Sequence, residues 1–344
     1  MRTISLIGGA APPALGQGTW MMGLDSRLRA AETAALRLGV ELGMSLIDTA
    51  EMYGEGATES FLGQALGTGA DAVIDVTAYG PEHAHQLLEA QGDVGAFIVL
   101  SSSSVYRDEL GRTLDEAAAT GFPDFPAPIS ESQAIVEPGP ATYSTRKVAL
   151  ERILLDQAVT PVTILRPAAI HGLGSVHPRE WWFVKRMLDG RANIPIAYAG
   201  ASRFHTSAVA NIAELTRVAL NAAESRFLNI ADPTADNVAQ IGASIADHMG
   251  FRGRIVEVAN TDFPAKIGRT PWSTPLPFVL DTTAAIALGY QPVRTYAQSV
   301  GPVCDALVEA ASTGQDWRDL FPVLARYPYE QFDYQFEDAF FAQS

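Results

Sequence analysis

The feature that most constrains this chain of 344 residues is its alternation of short apolar runs with helix-periodic segments. Runs of the buried-strand type fall at 3–7, 45–48, 72–76, 96–100, 162–165 and 226–230. Between them the spacing predicts helices over 25–42, Ala57–Leu66, Pro81–Ala90, 141–157, 179–189, 206–221 and Val238–His248. Residues 14–20 read as one more strand, interrupted by Gly16 and Gly18. Strands separated by helices cannot pair as hairpins. They call for a mostly parallel, doubly wound sheet with helices on both faces, an α/β fold. In the first helix Asp25-Ser26 forms the cap, and Ala31, Ala34, Ala35, Leu38 and Leu42 share the apolar face. Residues 107–140 are a long excursion rich in Pro, Gly and acidic groups. The aromatic-rich tail from 316 to 344 is expected to pack on the body.

Composition narrows the function. Apolar residues make up 47% and charged residues 18%, a globular balance for one large domain or two. The formal net charge of −15 argues against nucleic acid or an anionic membrane as the main partner. Cys304 is the sole cysteine, so no internal disulfide can form. The N-terminus lacks a charged-then-apolar signal pattern, and no apolar run approaches membrane-spanning length. These features read as a cytoplasmic protein acting on a small-molecule substrate. No Cys/His cluster or His-Glu-x-x-His pattern occurs, so no metal site is expected.

The chemistry concentrates at Tyr143-Ser-Thr-Arg-Lys147. The chain has only three lysines, Lys147, Lys185 and Lys266, and one of them follows a tyrosine by four residues. On a helix, positions i and i+4 share a face, which brings the ammonium beside the phenol and favours the ionised form. A tyrosine tuned this way can exchange a proton with a substrate hydroxyl or carbonyl.

Residues from about 70 to 344 resemble the extended short-chain dehydrogenase/reductase family, in its epimerase/dehydratase branch. Four stretches carry the likeness in order, beside Tyr143-x-x-x-Lys147 itself. They are Asp71-Ala-Val-Ile-Asp-Val-Thr-Ala78, Phe97-Ile-Val-Leu-Ser-Ser-Ser-Ser-Val-Tyr106, Ile164-Leu-Arg-Pro167 through His171-Gly-Leu-Gly174, and Arg203-Phe-His205. The resemblance implies a Rossmann-like sheet, NAD or NADP as cofactor, and a smaller C-terminal substrate-binding region, mainly 168–205 and 250–344. It implies Tyr143 as general acid/base, Lys147 as its modulator and ribose ligand, and Ser102 as the hydroxyl on the reacting oxygen. Ser101 and Ser103 are alternatives to Ser102. Ala78, Tyr79 and Pro167 line the cofactor in this reading. Ser103, His171, Arg203 and His205 face the substrate, with His177 as a further candidate. A homodimer through the helix bearing Tyr143 is also implied.

The first 67 residues do not follow that pattern. Pro13-Ala-Leu-Gly-Gln-Gly-Thr-Trp-Met-Met-Gly23 and Ser45-Leu-Ile-Asp-Thr-Ala-Glu-Met-Tyr53 resemble the N-terminal βαβα segment of an aldo-keto reductase. That likeness implies Asp48 and Tyr53 as catalytic residues. The same family needs a lysine soon after its tyrosine, and no lysine precedes Lys147. The chain therefore reads as a splice: residues 1–67 from one family complete the sheet of a body, 68–344, from the other.

The splice bears on cofactor binding. A dinucleotide fold passes its first strand into a Gly-rich turn whose helix N-terminus holds the pyrophosphate. Here Gly8 and Gly9 are the candidates, but Pro12-Pro13 blocks a helix in the usual register. The leading expectation is an NAD(P)-dependent oxidoreductase or epimerase/dehydratase acting on a sugar nucleotide or similar metabolite. A non-catalytic ligand-binding member of the same fold is the alternative, with an aldo-keto reductase behind it.

Overall fold

The computed structural model describes residues 16–50, 53–54, 56–66 and 70–343. Gly8 and Gly9 lie outside the described residues, as does the strand expected at 3–7. The chain divides into two compact units: Met1–Asp71 with Gly92–Gly95, and Ala72–Gln91 with Ala96–Ser344.

The first unit contains β1 (Gln17–Gly18), α1 (Arg29–Glu41), β2 (Ile47–Asp48) and α2 (Ala57–Leu66). β1 and β2 are parallel, with Gln17 opposite Ile47 and Gly18 opposite Asp48, which requires the α1 crossover between them. Its small core is Leu36, Phe61, Leu62 and Ala65, with Met22, Ile47 and Leu66 against it. α1 differs from its sequence reading. Asp25 accepts from the Arg27 N–H at 2.9 Å, and that local turn delays the helix to Arg29. The buried positions of α1 are Leu36 and Gly39, whereas Leu38 and Leu42 are 53% and 61% exposed. Gly39 has a packing reason: a Cβ there would meet the Gln17 side-chain amide, which donates to Leu36 O and Met44 O at 3.1 Å each.

The second unit carries β3 (Val73–Asp75), α3 (Pro81–Ala90), β4 (Phe97–Leu100), α4 (Ala117–Thr120), α5 (Tyr143–Gln157), β5 (Val162–Pro167), β6 (Ala169–His171), α6 (Trp181–Leu188) and β7 (Asn193–Ile196). It continues with β8 (Thr206–Ala208), α7 (Val209–Leu220), β9 (Arg226–Ile230), α8 (Val238–His248), β10 (Arg254–Glu257) and α9 (Thr283–Ala287). α10 (Tyr296–Ser312), α11 (Trp317–Leu320), α12 (Pro322–Ala325) and α13 (Tyr334–Gln343) close the chain.

β3, β4, β5 and β9 form one four-stranded sheet in that order, every pair parallel. Alternate residues of a strand face opposite sides. Ile98, Leu165, Leu228 and Ile230 meet Ile212, Leu215 and Ala219 of α7 on one side, while α5 and α3 cover the other. The fold is thus α/β and doubly wound. Among the described residues, β1 and β2 form a two-stranded sheet of their own.

Two parallel pairs, β6–β8 and β7–β10, were not anticipated. The helix expected from 206 starts instead at Val209, because Thr206–Ala208 pairs with Ala169–His171. The aromatic tail packs as expected. Phe321, Tyr327 and Phe332 join a core built from Trp181, Trp182, Phe183 and Trp272. Arg186 of α6 anchors the tail through Glu337 Oε1 at 2.7 Å and the Gln331 carbonyl at 2.5 Å.

Candidate active site

The carboxyl ends of β3, β4 and β5 and the first turns of α5 hold the candidate site. α5 starts sharply because Thr142 and Thr145 cap it reciprocally. The Thr145 N–H donates to Thr142 Oγ1 at 3.2 Å, and the Thr142 N–H donates to Thr145 Oγ1 at 2.9 Å. Tyr143 is therefore the first helical residue, 38% exposed. Lys147, one turn on, points inward and is 2% exposed.

Lys147 Nζ donates to the Ala78 carbonyl at 2.5 Å and the Leu100 carbonyl at 2.9 Å, the residues that follow β3 and end β4. Burial pulls the ammonium down to about 8, while Asp75 and Glu151 work the other way. Nζ lies 5.0 Å from the centre of the Tyr79 ring and 5.6 Å from that of Tyr143.

This corrects the idea that the ammonium sits on the phenol and lowers it. Burial instead holds the Tyr143 phenol above its ordinary value, and Tyr79 and Asp115 add to the rise. The group that opposes it is Ser102, through a side-chain hydrogen bond. The i, i+4 spacing does put both side chains on one face. The strand-end carbonyls then capture the ammonium.

Ser102 caps the short helical turn Ser103–Val105 and accepts from the Ser104 N–H at 3.1 Å. Ser101 and Ser103 are each 4% exposed, and Ser101 Oγ is buried without a hydrogen-bond partner. Ala78 is fully buried beside Lys147, Tyr79 is 52% exposed, and Pro167 is buried at the end of β5.

A buried network fixes the register of α5. Glu151, fully buried, takes Arg166 Nε at 3.0 Å and Nη2 at 2.6 Å. Arg166 Nη1 donates to Tyr106 Oη at 3.3 Å, and Tyr106 donates to Asn229 Oδ1 at 2.7 Å. Sequence reasoning missed these residues, although a glutamate one turn after Lys147 inside an apolar helix was a signal.

The histidines proposed to face the substrate make internal hydrogen bonds. His205 donates through Nε2 to the Asp232 carbonyl at 2.9 Å and accepts at Nδ1 from the Leu280 N–H at 3.2 Å. Both nitrogens are thereby spent on backbone, and burial lowers its pKa. His171 is 3% exposed and pairs with Asp232 Oδ2 at 2.9 Å. His177 meets Tyr327 Oη at 2.8 Å, and burial, with Arg179 nearby, pulls it down to about 3. Arg203 is exposed at its side chain, and its carbonyl accepts from the Phe278 N–H at 2.8 Å.

In the first unit, Tyr53 Oη lies 3.4 Å from Asp48 Oδ2, and Trp20 packs edge-on to Tyr53 with ring centres 4.9 Å apart. Among the described residues no group of three or more His, Cys, Asp or Glu could hold a metal ion. No helix among them is long and apolar enough to cross a membrane.

Comparison with known proteins splits along the chain. Residues 14–91 match the aldo/keto reductase family model. Methylglyoxal reductase YeaE of Escherichia coli (strain K12) is 54% identical over 65 residues. Those residues are 19% of this chain and 23% of that protein, so the chain spans about a quarter of the curated relative it matches. The family match runs on past residue 67 through β3 and α3, although β3 is paired in the four-stranded sheet.

In fold the chain is similar to several solved structures. A mutant UDP-glucuronic acid 4-epimerase from Bacillus cereus, solved with NAD and a fluorinated UDP-sugar, gives a TM-score of 0.52 at 16% identity, covering 85% of this chain and 90% of that one. The dTDP-glucose 4,6-dehydratase of Bacillus anthracis, solved with NAD, gives 0.52 at 15% identity, covering 78% and 81%. RMD from Pseudomonas aeruginosa, complexed with NADPH, gives 0.51 at 20%, covering 73% and 85%.

Proposed function

We propose that the second unit is a nicotinamide-dependent oxidoreductase of the epimerase or dehydratase kind. Its substrate is a sugar nucleotide or similar metabolite, attacked at a carbon bearing a hydroxyl. The observation that carries this reading is the arrangement at the carboxyl ends of the parallel strands. There the Ser102 side chain lowers the Tyr143 phenol against the effect of burial, and Lys147 is held by the Ala78 and Leu100 carbonyls. Ligands of open parallel sheets bind at that edge.

The residues present suit the nicotinamide half of NAD or NADP. Lys147 has three N–H donors and uses two on carbonyls, which leaves one for a ribose hydroxyl. Tyr79, half exposed beside it, offers a ring wall. When bound, the nicotinamide supplies hydride transfer. Tyr143 then gives a proton to the substrate oxygen or takes one from it, and Ser102 orients that oxygen. Ala78 and Pro167 remain the proposed cofactor-lining residues, and Ser103 and Arg203 the proposed substrate contacts. A homodimer through α5 belongs to the same reading.

The pyrophosphate half is a different matter. Among the described residues, no strand of the four-stranded sheet runs into a Gly-x-x-Gly-x-x-Gly turn. That observation favours a second reading, in which the unit binds a ligand without turning it over. Gly8 and Gly9 are the remaining proposed phosphate ligands.

Fluorescence titration of the full chain with NADH and with NADPH separates the readings. Saturable binding of either, with turnover on a panel of UDP- and dTDP-sugars that Tyr143→Phe abolishes, supports the enzyme. Binding with no turnover across the panel supports the second reading, and no binding of either cofactor removes the first.

A further inference from the structure

Several hydroxyls meet between the end of β4 and the start of α5, and the reading above uses only Ser102 and Tyr143. Ser144 is fully buried one residue after Tyr143. Its backbone N–H donates to Asp115 Oδ2 at 3.0 Å, which fixes the residue in place. Its Oγ donates to Ser104 Oγ at 2.9 Å. Ser104 Oγ also receives the Ser102 hydroxyl at 3.0 Å.

A serine oxygen has two lone pairs, so these two donations fill Ser104. In a chain of hydroxyls, each member donates better for every proton it receives. The Ser144 proton therefore makes Ser104 a poorer acceptor for Ser102 and a better donor to it. Both effects release the Ser102 proton in the same direction. We propose that Ser144 is a positioning residue that acts through Ser104 to turn the Ser102 hydroxyl toward the Tyr143 oxygen. Only hydrogen bonds change in this step: each proton rotates about its own C–O bond, and none is transferred.

The inference rests on Tyr143 being the acid/base of the proposed reaction, but the serine chain is a property of the protein alone. The Ser144 hydroxyl is bonded to Ser104 Oγ and not to the other groups facing Tyr143. They are Tyr79 from the β3–α3 connection, Asp115 from the segment before α4, and Lys147 on the same helix. The Asp115 contact is to the Ser144 backbone.

The test replaces Tyr143 with difluorotyrosine in the full chain and follows its ionisation by fluorine NMR, with no ligand present. Ser144→Ala is expected to raise the titration midpoint by about half a unit to one unit. Ser144→Thr, which keeps the hydroxyl, is expected to restore it, and Ser102→Ala to raise it at least as far. An unchanged midpoint in Ser144→Ala overturns the inference, as does a Thr variant displaced as far as Ala. If Ser144→Ala does not fold, Ser144→Cys, a weak donor, takes its place with a rise expected and an unchanged midpoint fatal. NADH titration of the same proteins reads the proposed function separately. A chain that fails to bind NADH yet shows the displaced midpoint loses that function and keeps the serine relay.

Discussion

Glu151 lies one helical turn beyond Lys147 and grips Arg166 of β5 through two hydrogen bonds, 3.0 and 2.6 Å long. The pair is 1% exposed on both sides, so each charge depends on the other. Removing one partner leaves an uncompensated buried charge. Glu151→Gln or Arg166→Met is expected to cost about 3–5 kcal/mol in urea unfolding. The double replacement Glu151→Leu with Arg166→Met is expected to cost less than either alone. A single variant within about 1 kcal/mol of wild type would contradict the buried pairing.

Lys147 carries a pH signature. Its folded value is about 8 against an ordinary 10.5, because burial disfavours the charge. Between those values the unfolded chain holds the proton and the folded one does not, so stability from this group rises with pH. The penalty is fully present below pH 8 and is relieved as pH climbs toward 10.5. Unfolding midpoints of wild type and Lys147→Met, compared across that window, should show wild type gaining relative to the variant. Parallel curves would mean that the lysine is not desolvated.

Tyr143→Phe keeps the ring and loses the proton. If the proposed chemistry holds, turnover falls roughly 10²–10⁴-fold, while NADH affinity stays within a few-fold. Equal losses in both would assign Tyr143 to binding rather than proton transfer.

Asp48 and Tyr53 offer the converse case. The aldo-keto likeness makes them look catalytic, yet no lysine precedes Lys147 in the chain. Asp48→Asn and Tyr53→Phe are expected to leave nicotinamide-dependent turnover within about twofold of wild type. A loss as large as that of Tyr143→Phe would move the active site to the first unit.

At the tail, Arg186 is 2% exposed, stacked on Trp182 at 3.6 Å and paired with Glu337. Glu337→Ala is expected to destabilise by about 3–5 kcal/mol, far beyond the ordinary cost at a C-terminal position. Thermal unfolding measures it, and a change under about 1 kcal/mol would show that water replaces the carboxylate.

The sequence made some of this legible and hid the rest for physical reasons. β9 and α8 fall where read, since Phe227, Leu228 and Ile230 give Arg226–Ile230 an apolar centre and end, and Val238–His248 is periodic. β7 and β10 were missed because Asn193–Ile196 contains a proline and Arg254–Glu257 has charges at both ends. α10 was missed because Gly301 and Pro302 interrupt Tyr296–Ser312. At the site, the Tyr143–Lys147 spacing announced itself. The lysine's partners did not, because backbone carbonyls at strand ends leave no mark in a sequence. The partners of His171 and His205 were equally hidden, because position along the chain says nothing about whether Asp232 or Leu280 bonds a ring nitrogen.

The four-stranded sheet also sets an order in time. β3 stands at its outer edge and finds one partner among the described residues, β4, which is made later. Among the described residues, Val73–Asp75 has no strand beside it until Phe97–Leu100 leaves the ribosome. Ile74 and Val76 stay 46% and 60% exposed even in the finished fold. A strand so placed invites the wrong neighbour, another nascent chain above all. Its brevity, at three residues, and the acidic groups at Asp71 and Asp75 are what discourage that pairing while the chain waits for its own.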